Sequence, residues 1–448
     1  MKKVNLVKRV SSLLMIGAFV LAAGSCEEKE GVKTFEVKVQ LEYPDGYIAQ
    51  KGVKVELKGA AATFEASTDS TGLAAFKVTA GTYEARVSEV RNTNASTIVL
   101  NGTQAGIAVT DPWSGEIVTL TLSESKQSKL LIKELYVGGC QKDDGGSFQR
   151  DPYVILYNNS SEPISLKNVS WGATLPSNGH TTNNFVNESG VLSYQSEGWI
   201  PAGFAIWTLE QDVTLDAGKQ IVIAFENAID NTQTYSNSIN FAHPEYYAGY
   251  DMDVYTNTTY YKVSDVIPTN HYLKAYKLTG VTATAFVLSV SSPALFIFQP
   301  TEEGDSIISK FVNNPENITL HGGYTSQVTL KTPVEWILDG IEVFAQGQES
   351  STKRLTDKVD AGSIYFTNQQ GYTLYRNVDK EATEAIANNA GKLVYNYSLG
   401  TADLVGGSTD PSGIDAEASI KNGATIIYKD TNNSSVDFHQ RRRASLRD

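Results

Sequence analysis

The stretch Phe35-Glu36-Val37-Lys38-Val39-Gln40-Leu41 alternates apolar and polar residues without a break. Period two predicts a strand with one buried and one wet face, because successive side chains leave a pleated backbone on opposite sides. The pattern continues outward. After the turn signal Pro44-Asp45-Gly46, Val53, Val55 and Leu57 alternate again. Thr68-Asp69-Ser70-Thr71-Gly72 is a turn leading into Leu73–Val78, and Gly81-Thr82-Tyr83 re-enters a strand. Composition points the same way: 23 Tyr and 36 Gly against 3 Met in 448 residues suit strands and turns better than helices. Only Asp379 to Asn389 has helical propensity. The predicted fold is all-β, a small β-sandwich followed by a larger one with long insertions. The length calls for more than one core.

The N-terminus reads as an export signal. Lys2, Lys3, Lys8 and Arg9 precede an apolar run from Leu13 to Ala23, too short to span a bilayer comfortably. Small residues Ala23, Gly24 and Ser25 then lead into Cys26. This resembles the bacterial lipobox, in which the thiol is acylated and becomes residue one. Ala23 stands where Leu is usual, with Leu21 two places earlier. The resemblance implies a signal peptide over 1–25 and a lipidated tether over 26–32. The acidic cluster Glu27-Glu28-Lys29-Glu30 resembles the surface-export signal of Bacteroidetes lipoproteins, which implies an outer-membrane anchor facing the cell exterior. As plain charge patterning it is a solvated tether.

Charge and cysteine content narrow the function. The net charge is -13, and loss of the basic leader makes the remainder more acidic still. Phosphate backbones repel such a chain, which excludes nucleic acid as a partner. Of two Cys, Cys26 is assigned to lipid, so Cys140 has no intramolecular partner. It follows Gly138-Gly139 after an apolar run and reads as a small buried residue.

Two further resemblances organise the chain. Residues 33–124, with Thr68 to Gly72 and Gly81 to Tyr83 as their marks, resemble prealbumin-like modules related to carboxypeptidase regulatory domains. Ser123 to Ser128 is polar and reads as a linker. From 129 to 448, the strand Leu130–Tyr136, then Tyr153-Val154-Ile155-Leu156-Tyr157-Asn158, Pro163-Ile164-Ser165-Leu166 and Leu215 to Ile223 resemble a lamin-tail-like β-sandwich. With Trp336 to Glu342 and Asp430-Thr431-Asn432-Asn433-Ser434-Ser435, the order of motifs resembles an uncharacterised group of Bacteroidetes lipoproteins, a domain-of-unknown-function family. The basic end Arg441-Arg442-Arg443 departs from that pattern.

No catalytic constellation stands out. His180, His243, His271, His321 and His439 show no ligand spacing, and His-Glu-x-x-His, Gly-x-Ser-x-Gly, P-loop and dinucleotide patterns do not occur. Asp143-Asp144-Gly145-Gly146 and Asp251-Met252-Asp253 place oxygens closely enough for a structural Ca²⁺, without EF-hand spacing; an acidic turn is the plainer reading. The segment His243 to Tyr261 carries Tyr246, Tyr247, Tyr250, Tyr255, Tyr260 and Tyr261 among few aliphatics. Such rings stack on a glycan or a small flat ligand from a loop, or cover a core. Trp199 and Trp207 read as core. The expected function is a non-enzymatic, surface-anchored lipoprotein that binds a ligand. Its relatives imply docking on an outer-membrane nutrient transporter. An adhesion or structural protein, and a hydrolase with a carboxylate pair, are the alternatives.

Overall fold

Phe35–Glu42 forms the strand its alternation predicts: Phe35, Val37, Val39 and Leu41 are buried and Glu36 and Glu42 exposed. The structure, a computed structural model, describes residues 33–92, 97–179, 183–302, 304, 306–320, 328–346, 353–395 and 409–447. The expectations for Cys26 and its tether lie outside the described residues. The Phe35–Glu42 strand pairs antiparallel with Leu73–Val78 and parallel with Ile117–Thr121. A five-stranded sheet in the order Thr63–Ser67, Lys54–Gly59, Gly81–Asn92, Thr97–Val109, Ser123–Lys126 completes this N-terminal body. Val37, Val39, Leu57, Phe76 and Leu100 share one core.

The stretch expected as a linker is a strand. Ser123–Lys126 pairs with Ile98–Asn101, and Ser125 turns inward to donate to Val99 O at 3.2 Å. A polar strand leaves no apolar alternation to read. The Thr68–Gly72 turn forms as expected. Asp69 Oδ1 accepts from Thr71 N at 2.8 Å and Leu73 N at 3.1 Å, and Gly72 takes φ +83°, a conformation costly with a Cβ.

In the larger body, Leu130–Tyr136 sits inside a six-stranded sheet with all seven residues buried, Lys133 and Glu134 among them, which explains why its apolar residues do not alternate with exposed ones. The order is Tyr247–Ala248, Gln220–Ala224, Tyr153–Asn158, Leu130–Tyr136, Thr373–Arg376, Phe438–Arg441. A second six-stranded sheet runs Lys274–Lys277, Ala205–Thr208, Ser170–Ala173, Ala294–Phe298, Ile337–Ala345, Ile364–Phe366. Both sheets contribute to one core, including Ile132, Ile155, Ile223, Trp171, Trp207 and Leu295. The fold is all-β, as predicted. Among the described residues, helix is confined to short pieces. Lys380–Ala385 falls in the expected stretch, capped by Asp379, which accepts from Ala382 N at 3.0 Å. Ile307–Asn313, Ala416–Lys421 and Ser434–Asp437 were not anticipated.

The basic end has a structural role. Arg441 is buried in the last strand, its guanidinium 4.9 Å from the centre of the Tyr375 ring. Arg376 is buried and bonds Asp339, with Asp437 at 3.5 Å and Asp430 at 3.8 Å. Buried charges persist only when paired in this way. The segment beginning at Asp430 also joins the two bodies. Asn432 Nδ2 donates to Ser125 Oγ at 3.1 Å, Gln127 Nε2 donates to Asp430 O at 2.7 Å, and Asn101 donates to Thr431 O.

Candidate functional site

Tyr247–Ala248 attaches to the sheet edge by parallel pairing with Ile223–Ala224, and this register sets where the following rings go. Tyr250 Oη donates to Lys262 O at 2.5 Å and accepts from Ala228 N at 3.3 Å. Tyr261 Oη donates to Phe286 O at 2.5 Å and accepts from Phe286 N at 2.8 Å. Tyr255 lies with its ring centre 5.8 Å from that of Trp207. Tyr247, Tyr250, Tyr255 and Tyr261 are buried; Tyr246 and Tyr260 are half-buried against the same core. Arg150 lies 3.7 Å over the Tyr260 ring.

The picture of an open, tyrosine-lined loop is therefore corrected for the four buried rings, which belong to the core. The physical reason is local. The segment is poor in aliphatics, so its rings supply the apolar area, and the hydroxyls of Tyr250 and Tyr261 bond backbone groups that no sheet pairs. Burial pushes the phenols of Tyr250, Tyr255 and Tyr261 well above their ordinary range. Trp199 and Trp207 are core, as expected.

Beside this segment lies a cleft of about 480 Å³, within the size range of small-ligand sites. Its lining mixes apolar Leu209, Met252, Val263 and the half-buried ring of Tyr272 with polar Glu210, Gln211, Asp253 and Asn270. Asp251 organises it. Its Oδ1 accepts from Asp253 N at 2.9 Å, and its Oδ2 accepts from Ala275 N at 3.1 Å and pairs with Lys274 Nζ at 2.9 Å. That hydrogen bond raises the Lys274 ammonium above its usual pKa. Gln211 Nε2 donates to Asn270 O at 2.6 Å, Glu210 accepts from Tyr276 Oη at 2.5 Å, and Tyr272 Oη accepts from Ser264 N at 2.9 Å. Amides, carboxylates and a ring edge beside apolar side chains offer both hydrogen bonds and apolar contact to a small polar ligand.

Asp143 accepts from Ser236 N at 3.0 Å and from its hydroxyl, and Asp144 is exposed beside it. Asp251 is engaged by Lys274, and Asp253 is exposed at the cleft. Among the described residues no group of three or more His, Cys, Asp and Glu side chains is placed to hold a metal ion. Cys140 is buried, and burial pushes its thiol up to about 12. Sequence reasoning singled out Asp251 and Asp253 but missed Glu210, Gln211, Asn270, Tyr272 and Lys274. No local pattern joins 209–211 to 269–274; only pairing of Ala205–Thr208 with Lys274–Lys277 does.

Most of the cleft falls within a stretch that matches a known family. Residues 216–396 match the model of a protein of unknown function, DUF4876. A crystal structure of a DUF4876 family protein from Bacteroides thetaiotaomicron is similar in fold, with a TM-score of 0.51 at 19% identity over 90% of this chain and 94% of that one. A DUF3823 family protein from Parabacteroides merdae matches 43% of this chain and 98% of its own at 9% identity, with a TM-score of 0.14. A streptococcal ancillary pilin matches 42% of this chain and 60% of its own at 13% identity, with a TM-score of 0.15. No curated protein matches the chain. The DUF4876 description names no enzyme and no ligand.

Proposed function

We propose that this chain is a non-enzymatic, lipid-anchored surface protein that binds a small polar ligand, a sugar unit being the best fit, in the cleft between Leu209–Gln211 and Asp251–Lys274. The observation that carries this reading is the mixed lining of that cleft, in which apolar Leu209, Met252 and Val263 accompany the hydrogen-bonding Glu210, Gln211, Asp253 and Asn270. Sugars present both an apolar ring face and a rim of hydroxyls, so each kind of lining side chain has a match. The surrounding tyrosine core pre-forms the cleft, which limits the ordering cost of binding.

The anchoring part rests on the sequence: a basic leader, a short apolar run and Cys26 followed by acids. No helix among the described residues is long and apolar enough to cross a membrane. Docking beside an outer-membrane transporter is proposed from the resemblance to surface lipoproteins. Calcium in the Asp143–Asp144 turn stays a lesser proposal, since Asp143 already has protein donors.

The test is titration calorimetry of the chain from residue 27 against a panel of mono- and oligosaccharides. Saturable binding is expected. It should weaken about tenfold in Gln211→Ala or Asp253→Ala, the order of one lost hydrogen-bonding pair. Both side chains are exposed, so the melting temperature should not move. Absence of binding across the panel, or binding unchanged in both variants, removes the reading. Retention of Cys26→Ala in the membrane fraction would remove the anchor.

A further inference from the structure

The hydrogen-bonding groups of the cleft beside Asp251 are unevenly used. Gln211 and Asn270 bond each other twice: Gln211 Nε2 donates to Asn270 O at 2.6 Å, and Asn270 Nδ2 donates to Gln211 Oε1 at 3.3 Å. Each primary amide keeps a second hydrogen for another acceptor. Asp251 is used on both oxygens, by Asp253 N on one and by Ala275 N and Lys274 Nζ on the other. Glu210 and Asp253 are different. Glu210 accepts from Tyr276 Oη through Oε1 alone, and among the described residues the Asp253 carboxylate accepts no hydrogen bond. Both side chains are exposed at the cleft.

The charges of the lining do not balance either. Glu210, Asp251 and Asp253 set three carboxylates against one ammonium, that of Lys274. Asp251 Oδ2 holds this ammonium at 2.9 Å, so the pair cancels and two carboxylates are left over. The hydrogen bond from Lys274 to Asp251 is the main reason its ammonium is raised, but Glu210 and Asp253 raise it too, so both lie within electrostatic reach of one point. Apolar Leu209, Met252 and Val263 line the same space, and a cleft with such walls and charges of one sign concentrates their field on an incoming ligand.

We infer that the cleft selects a sugar bearing a protonated amine, an amino sugar whose nitrogen is not acetylated; this rests on the reading of the cleft as a sugar site. The ammonium pairs with Glu210 and Asp253, the spare amide hydrogens of Gln211 and Asn270 go to hydroxyl oxygens, and the apolar side chains take the ring face. Acetylation removes the charge from the sugar, and a uronic acid brings the wrong sign.

Three disaccharides with one linkage, differing only at the second ring carbon, make the test: cellobiose with a hydroxyl, N,N′-diacetylchitobiose with an acetamide, and chitobiose with a free amine. Each is titrated calorimetrically into the chain from residue 27 at about pH 6, where a sugar amine is protonated. Chitobiose should bind about tenfold tighter than the other two, the order of one added charge pair in a partly solvated cleft. The preference should shrink in about 0.5 M salt and vanish near about pH 9, where the amine is neutral. Glu210→Gln with Asp253→Asn keeps the side-chain shapes and the acceptor for Tyr276, and should bring chitobiose down to the affinity of cellobiose at an unchanged melting temperature. Equal affinity for the three disaccharides, or a preference that survives in the double variant, overturns the inference and leaves the sugar site standing. Failure of chitobiose to bind while neutral sugars do overturns it as well, whereas silence across the whole saccharide panel removes the site itself. Nα-acetyl-lysine methyl ester binding as tightly as chitobiose overturns the sugar as the carrier of the amine.

Discussion

Lys274 Nζ lies 2.9 Å from Asp251 Oδ2 on the border between the polar cleft and the tyrosine core. Asp251 is 7% exposed, and the same oxygen caps Ala275 N. Lys274→Met leaves that carboxylate with only backbone donors and should cost about 1 kcal/mol, since the lysine is partly solvated. Asp251→Ala also strips Asp253 N and Ala275 N of their acceptor and should cost more, about 2–3 kcal/mol. Denaturant unfolding of the two variants checks the order.

Tyr250 and Tyr247 distinguish core from ligand contact. Tyr250 is fully buried and bonded at both ends of its hydroxyl, so Tyr250→Ala should destabilise by about 3–5 kcal/mol. Tyr247, stacked 4.3 Å from the His271 ring, should also lose stability on truncation. A double change at Tyr246 and Tyr247 that left the melting temperature intact would contradict this placement.

Glu226 sets a pH dependence. Burial raises its carboxyl to about 8 against the lowering pull of Arg150, 3.7 Å away. Its folded pKa lies above the unfolded value near 4.3, so its stabilising contribution is complete below that value and is lost as pH rises toward 8. Asp151, raised by burial to about 7, acts in the same direction. The melting temperature should therefore fall between pH 5 and pH 8, windows set by these two groups, and Glu226→Gln should flatten that slope.

The junction between the two bodies rests on Asn432 and Asn101. Asn432→Ala removes donations to Ser125 Oγ and Lys126 O, and Asn101→Ala removes one to Thr431 O. Hydrogen exchange should rise in residues 123–128 in either variant, with little change in the Leu130–Tyr136 strand.

Cys140 should be silent toward thiol reagents in the folded chain and react once denaturant opens it, because its buried thiol has a pKa of about 12 and is almost wholly protonated at neutral pH. Measuring this in a Cys26→Ser chain leaves one thiol to count.

Much of the architecture could be read from residue order alone. Phe35 to Leu41 alternates because one face is wet, and Leu130 to Tyr136 does not because both faces are covered. Those are local consequences of strand geometry, so the all-β fold follows from the chain itself. Ser123–Lys126 could not be read, because its place in the sheet comes from pairing with Ile98–Asn101 and not from apolar spacing. Arg441 read as an unexplained basic tail, because the ring of Tyr375 that covers it lies far away in sequence.

The candidate sites divide along the same line. Composition alone located the tyrosine-rich segment and its Asp251–Asp253 pair. Only the packed sheets decided that four of those rings face inward, that the ligand-sized space lies beside them, and that Gln211 and Asn270, 59 residues apart, meet in its lining. The reason is range. Periodicity records which way a side chain points relative to its own backbone, whereas a cleft is made by segments whose separation is set by long-range strand pairing.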